Sequence, residues 1–155
     1  MPLAISFALL VTAACGGDET PAPEPEPEPA PAAEAPPAPE VFFTNVEDGG
    51  TYASPVAFVF DVANFNIVPI EDPLVSRPGE GHYHLAVDAA CAEVGAVIIA
   101  GDPAYIHFGT GNNSIEMQFE AGEHTVCLQV ADGEHRVIDG PDHSLLTKEI
   151  SIIVE

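Results

Sequence analysis

All six histidines of this 155-residue chain lie beyond position 80, at 82, 84, 107, 124, 135 and 143. His82 and His84 are two apart in a stretch with strand character. Strand side chains alternate between faces, so both rings should point the same way from Cα atoms about 6.5–7 Å apart. Two imidazoles at that spacing can share one metal ion, and imidazole nitrogens joined by carboxylates suit Zn(II) or Cu(II). His107 and His135 complete the set of candidate ligands. Two other readings stand beside this one. Histidines at strand ends donate to backbone carbonyls or cover a sheet edge, and imidazole also titrates near neutrality, which suits a pH sensor. His124 shares parity with Val126 and Leu128 and is expected at the rim of the core.

Cysteine usage adds a second constraint. Of Cys15, Cys91 and Cys127, the last two are expected to pair if the chain is exported, because extracytoplasmic thiols oxidise. The loop closed spans 36 positions, worth about 4 kcal/mol in the chain-entropy description. Two separate buried thiols are the alternative. If Cys91 sits opposite Cys127 on antiparallel neighbours, paired positions sum to 218, setting His84 against Glu134 and Tyr83 against His135. That register would gather His82, His84, Asp132, Glu134 and His135 at one end of the domain. Blue-copper electron transfer fits poorly, since His135 follows Cys127 by eight residues rather than closely. No serine elbow, HExxH helix or phosphate-cradling glycine loop is present. An enzyme therefore stands only as the alternative to a binding module.

These residues need elements to position them, and three segments are expected. Residues 1–14 read as a signal peptide, with an apolar run from Leu3 to Ala14 that is too short to span a bilayer. Ala13-Ala14-Cys15 resembles the lipobox of bacterial lipoproteins, although Thr12 stands where leucine is usual. The resemblance implies lipidation of Cys15, with an ordinary secretory signal or a non-cleaved anchor as the alternatives. Gly16 after it resembles lipoproteins sorted to the outer membrane or cell surface rather than the inner membrane. Residues 15–40 continue as an acidic tether, including Pro21-Ala-Pro-Glu-Pro-Glu-Pro-Glu-Pro29. Alternating Pro and Glu buries nothing and repels itself, so the segment should be extended, with Asp18 to Glu40 reaching about 70 Å at about 3.1 Å per residue.

Residues 41–155 form the folded domain. Val56, Phe58, Phe60 and Val62 alternate, as do Ile115, Met117 and Phe119, then Val126, Leu128 and Val130, then Ile150, Ile152 and Val154. Period-two patterning broken by glycine and asparagine turns predicts an all-β, immunoglobulin-like antiparallel β-sandwich of about seven strands. These fall near 41–46, 55–65, 82–88, 104–109, 113–120, 122–131 and 147–154, with Asn64–Gly81 as a long loop. Net charge is −22, and seven of 25 acids lie between Cys15 and Glu40, so the domain itself is strongly acidic. Such a surface repels phosphate backbones, which argues against nucleic acid as a partner.

Four motifs in order carry a family resemblance. Gly81-His82-Tyr83-His84-Leu85-Ala86-Val87-Asp88, Ile106-His107-Phe108-Gly109, Gly122-Glu123-His124-Thr125-Val126-Cys127-Leu128-Gln129 and Asp132-Gly133-Glu134-His135 resemble the bacterial family called domain of unknown function 4399. Val41-Phe42-Phe43, Asp48-Gly49 and Ser54-Pro55-Val56 match as well, so the likeness covers about 115 residues. It implies an exported, often lipid-anchored protein and supplies no activity. Tyr83 and Tyr105 stand where the family tends to carry histidine, and Arg136-Val137-Ile138 replaces a His-x-Pro ending. Each change removes a potential ligand or polar contact. Tyr83 and Tyr105 are alternatively aromatic contacts flanking a ligand groove. The expectation is a non-enzymatic lipoprotein domain binding metal, protein or glycan, with a metal-trafficking protein or enzyme as the alternative.

Overall fold

The computed structural model describes residues 37–139 and 146–155, which hold strands and no helix. The expected signal peptide, Cys15, nearly all of the expected tether and His143 lie outside them. The strands are β1 (Glu40–Phe43), β2 (Gly50–Tyr52), β3 (Val56–Ala63), β4 (Asn66–Ile67), β5 (Glu80–Val87), β6 (Tyr105–Phe108), β7 (Ser114–Met117), β8 (Gly122–Ala131) and β9 (Thr147–Val154). One sheet runs β1-β3-β7; the other runs β2-β9-β8-β5-β4, with β6 also paired to β5. The fold is an all-β sandwich, and each of the seven expected strands has a counterpart. β2 and β4 are additional, at three and two residues too short to show a period. They pair parallel, with β9 and β5 respectively, a departure from the purely antiparallel expectation.

The alternation explains the layers. Val56, Phe58 and Phe60 of β3 face Leu85 of β5, Val126, Leu128 and Val130 of β8, and Ile150 and Ile152 of β9 across one continuous core. Burying these apolar faces is the main driving force, at about 25 cal/mol per Å². Phe60 sits edge-on to both Tyr83 and Phe108, with ring centroids 4.9 and 5.0 Å away, a favoured arrangement of ring quadrupoles.

β5 departs from the half-buried pattern, because Gly81 to Ala86 are all buried. Tyr83 and Leu85 point into the sandwich. His82, His84 and Ala86 point to the other face, yet they are about 1% exposed. Cys127, Gln129 and Ala131 of β8 share that outer face and are equally covered. A third layer lies over them, made by the β5–β6 connection (88–104) and the turn after β8 (132–139).

The connection is fastened at several points. Asp88 leaves the sheet in the left-handed region at φ 52. Its amide donates to the Thr125 carbonyl, and its carboxylate accepts the Thr125 amide. Cys91 is disulfide-bonded to Cys127 beneath it, with Cα atoms 5.6 Å apart. The buried Gln129 amide accepts from Ala92 N–H and donates to Ala92 O, both at 2.8 Å. Further along, Gly95 and Ile98 N–H donate to Val137 O and His135 O, and Val137 N–H donates to Ala96 O. A covering layer without a ladder of its own must satisfy its polar groups in this way.

The disulfide therefore ties a covering loop to a sheet face, not one strand to the next. The expected register is corrected accordingly. Ala86, not Cys91, lies opposite Cys127, so His84 pairs with Gln129 and Tyr83 with Val130. A cystine in a loop that folds back over the sheet carries no information about register.

Candidate functional site

Four imidazoles meet at the margin of the covering layer, with His82, His84 and His135 beneath it and His107 exposed beside it. His82 and His84 come from one face of β5, and the short edge strand β6 places His107 directly opposite His84. Ala131 lies opposite His82 and leaves the ring room. His135 arrives from the turn after β8. There Asp132 Oδ1 accepts the amides of Glu134 and Arg136, both at 2.9 Å, and Oδ2 accepts from the Ser76 hydroxyl. Gly133 is required in this turn, because a Cβ would run into the Val75 carbonyl oxygen. His135 itself adopts φ 65, a left-handed conformation that costs a non-glycine residue about 1–2 kcal/mol. Such strain persists where the surrounding structure fixes it, often at ligand clamps.

One nitrogen from each of His82, His84, His107 and His135 lies within 4.8 Å of all the others. The Nε2 atoms of His82 and His84 are 2.9 Å apart. Ring centroids lie 4.8 Å apart for His82–His107 and His107–His135, 4.9 Å for His82–His135 and 5.1 Å for the stacked His84–His107 pair. A tetrahedral ion with bonds of about 2.0–2.1 Å sets its ligand nitrogens about 3.3–3.4 Å apart. The His82 and His84 nitrogens lie closer than that value and the remaining ligand atoms within 4.8 Å of one another, so the rings would adjust around a bound ion to complete the geometry.

The electrostatics favour lone-pair donation. Burial first, then the nearby His107 and His135, holds the pKa of His82 down to about 3, despite an opposing pull from Asp132. Burial, followed by His82, His107 and His135, holds His84 down to about 3 as well. His107 is lowered too, by burial first and then by His135. Neutral imidazole is the form that binds a metal ion. His84 Nδ1 and His135 Nε2 are buried and have no hydrogen-bond partner among the described residues. Each such atom costs about 1–3 kcal/mol in a purely structural role.

The other expected participants separate from the cluster. Glu134 is exposed, and Asp132 spends both carboxylate oxygens on its turn and on Ser76. The cluster is thus all nitrogen, without the carboxylates anticipated. Tyr83 is 2% exposed on the opposite face of β5, in the core. It cannot flank a groove beside the histidines, and its presence takes no ligand from the cluster, because position 83 faces the wrong side. Tyr105 lies half-buried on β6 and donates to Ala90 O, so it too fastens the covering loop. His124 packs against Phe119 at the rim, away from the cluster. Sequence reasoning overlooked Gln129 and Gly109. An amide among the apolar residues of β8 was the signal for the first, and the glycine two after His107 for the second.

Comparison with curated proteins finds no match, and comparison with solved structures finds none. The match to a family described as a domain of unknown function covers residues 58–155, from within β3 through β9, and so includes all four clustered histidines and both cystine halves while leaving β1 and β2 outside. Covering more than half of the chain, it establishes that the chain belongs to the DUF4399 family.

Proposed function

We propose that this domain binds one transition-metal ion, Zn(II) or Cu(II), through His82, His84, His107 and His135. The observation that carries the reading is the convergence of four imidazole nitrogens within 4.8 Å, three of them from buried rings. Neutral nitrogen donors suit Zn(II) and Cu(II), whereas Ca(II) and Mg(II) require oxygen ligands that the cluster lacks. With Cys91 and Cys127 joined in a disulfide, no thiolate competes for the ion among the described residues. The reading includes an exported lipoprotein, anchored through Cys15 and held off the membrane by its Pro-Glu tether, in the outer membrane or on the cell surface. The lipobox-like Ala13-Ala14-Cys15 and the acidic proline run support that placement. Mass analysis of the mature N-terminus, expected to begin at a lipid-modified Cys15, tests it.

For the metal, isothermal titration of untagged protein with Zn(II) and Cu(II) is the direct measurement. One equivalent should bind to the wild type, and His82→Ala/His84→Ala should weaken binding by at least about a hundredfold, or 2.7 kcal/mol. Identical isotherms for the two proteins would remove the site.

A further inference from the structure

We infer that His107 is the exchangeable ligand of the cluster, the position at which metal is acquired and passed to a donor group on another molecule. This rests on the metal reading and adds to it the route by which metal enters and leaves.

The four ligands are unequal. His82, His84 and His135 are 1%, 1% and 5% exposed, whereas His107 is exposed. Its strand, β6, has four residues and is paired on one side, to β5, among the described residues. The three buried rings stand on better-held backbone. His82 and His84 occupy a strand hydrogen-bonded to β8, under a loop fastened by the cystine and by Gln129. His135 is fixed by its own amide to Asp132 O and by Ile98 N–H to its carbonyl. An incoming ligand could reach metal at these three positions only by lifting the covering layer. At His107 it need only displace one ring at the surface.

Gly109 supports the same assignment. Its backbone is outside the left-handed region, so the conformation does not demand glycine. Space does. A Cβ there would collide with Cε1 and Nε2 of His107, and would press on Ile70 Cδ1 from another side. The His107 ring thus occupies a slot that only a residue without a side chain leaves open. In the exchange, a neutral nitrogen donor forms a bond to the metal as the His107 bond breaks. Coordination number and charge are conserved in this first exchange, no proton or electron moves, and the metal leaves once the His82, His84 and His135 bonds have been replaced in turn by further donors of the acceptor.

The test uses the full mature chain loaded with Co(II) for its visible spectrum, or with Zn(II) for transfer to a chelator. His107→Ala should keep one equivalent of metal but release it at least about tenfold faster, equivalent to about 1.4 kcal/mol of barrier. Imidazole added to this variant should restore a wild-type-like Co(II) spectrum. Imidazole should not restore His84→Ala, whose gap is covered. Gly109→Ala, which retains all four histidines, should also release metal faster than wild type. If the wild type takes up no metal, the metal reading fails and this inference with it. If the wild type binds but His107→Ala releases at the wild-type rate, or imidazole restores His84→Ala equally well, the inference alone is overturned.

Discussion

His124 and the four clustered histidines are the same side chain in two opposite settings. At the rim, His124 Nδ1 lies 2.7 Å from Asp88 Oδ2 and Nε2 lies 2.9 Å from Glu120 O. The Asp88 hydrogen bond first, then the Glu120 carbonyl, raises its pKa, so this ring readily holds a proton. In the cluster the rings face one another, two nitrogens lack partners, and burial keeps His82 and His84 neutral to about pH 3. Burial alone does not separate a structural histidine from a ligand. What surrounds the second nitrogen does: an acceptor makes a cation, and other imidazoles keep lone pairs free.

The contrast predicts opposite responses to acid, and the larger belongs to the cluster. His82 and His84 have pKa values near 6.5 when unfolded and about 3 when folded. Below pH 6.5 the unfolded chain gains protons that the folded protein refuses, so their contribution is complete above 6.5 and is lost as pH falls. For two such groups the loss approaches about 4 kcal/mol by pH 5. Urea unfolding in chelator at pH 7.5 and pH 5 measures it. His82→Val/His84→Leu should abolish this loss and stabilise the metal-free protein at pH 5, because it removes two groups that only the unfolded chain protonates and, with them, the unsatisfied His84 Nδ1. Histidines serving structure alone would instead make that variant less stable at both pH values.

How much of this was legible beforehand divides along the same line. Period-two alternation in β3, β8 and β9 located the core, and the two-residue spacing put His82 and His84 on one face, because those signals are local. Both short parallel strands escaped, since two or three residues carry no period. The second buried face of β5 escaped for a different reason. Its cover is a loop with no pattern, fastened by Gln129 and the cystine, and only the tertiary fold places it there. Treating the cystine as a strand-to-strand link misdirected the register by five positions, from a pairing sum of 218 to the Ala86–Cys127 sum of 213. His107 was a candidate from its residue type, but its place opposite His84 depended on the pairing of β6, which distant sequence does not disclose.

The cover itself offers the next test of the contrast. Cys91→Ser/Cys127→Ser should cost about 2–4 kcal/mol of stability. Without the staple the connection over β5 loosens, water reaches the cluster, and the burial that lowers the pKa of His82 and His84 weakens. Their ring protons, followed by NMR titration, should then shift at higher pH than in the wild type. His124 should titrate unchanged, since Asp88 is held by its own bonds to Thr125. Cluster rings that still refuse protons as strongly in the double variant would show that the staple does not maintain their burial.

The smallest effect is at the rim. Asp88→Asn keeps an oxygen for the Thr125 amide but removes the negative charge and the acceptor that raise the His124 pKa. A raised folded pKa contributes stability below the unfolded value and loses it as pH rises through the folded value, the reverse of the cluster. Removing it should therefore cost stability mainly below pH 6.5, by under about 1 kcal/mol for so exposed a pair. The His124 titration should move down toward its ordinary value, and metal titration should be unaffected. A change in metal affinity with Asp88→Asn would mean the rim and the cluster are coupled, and the separation between a proton-holding histidine and four lone-pair donors would not hold.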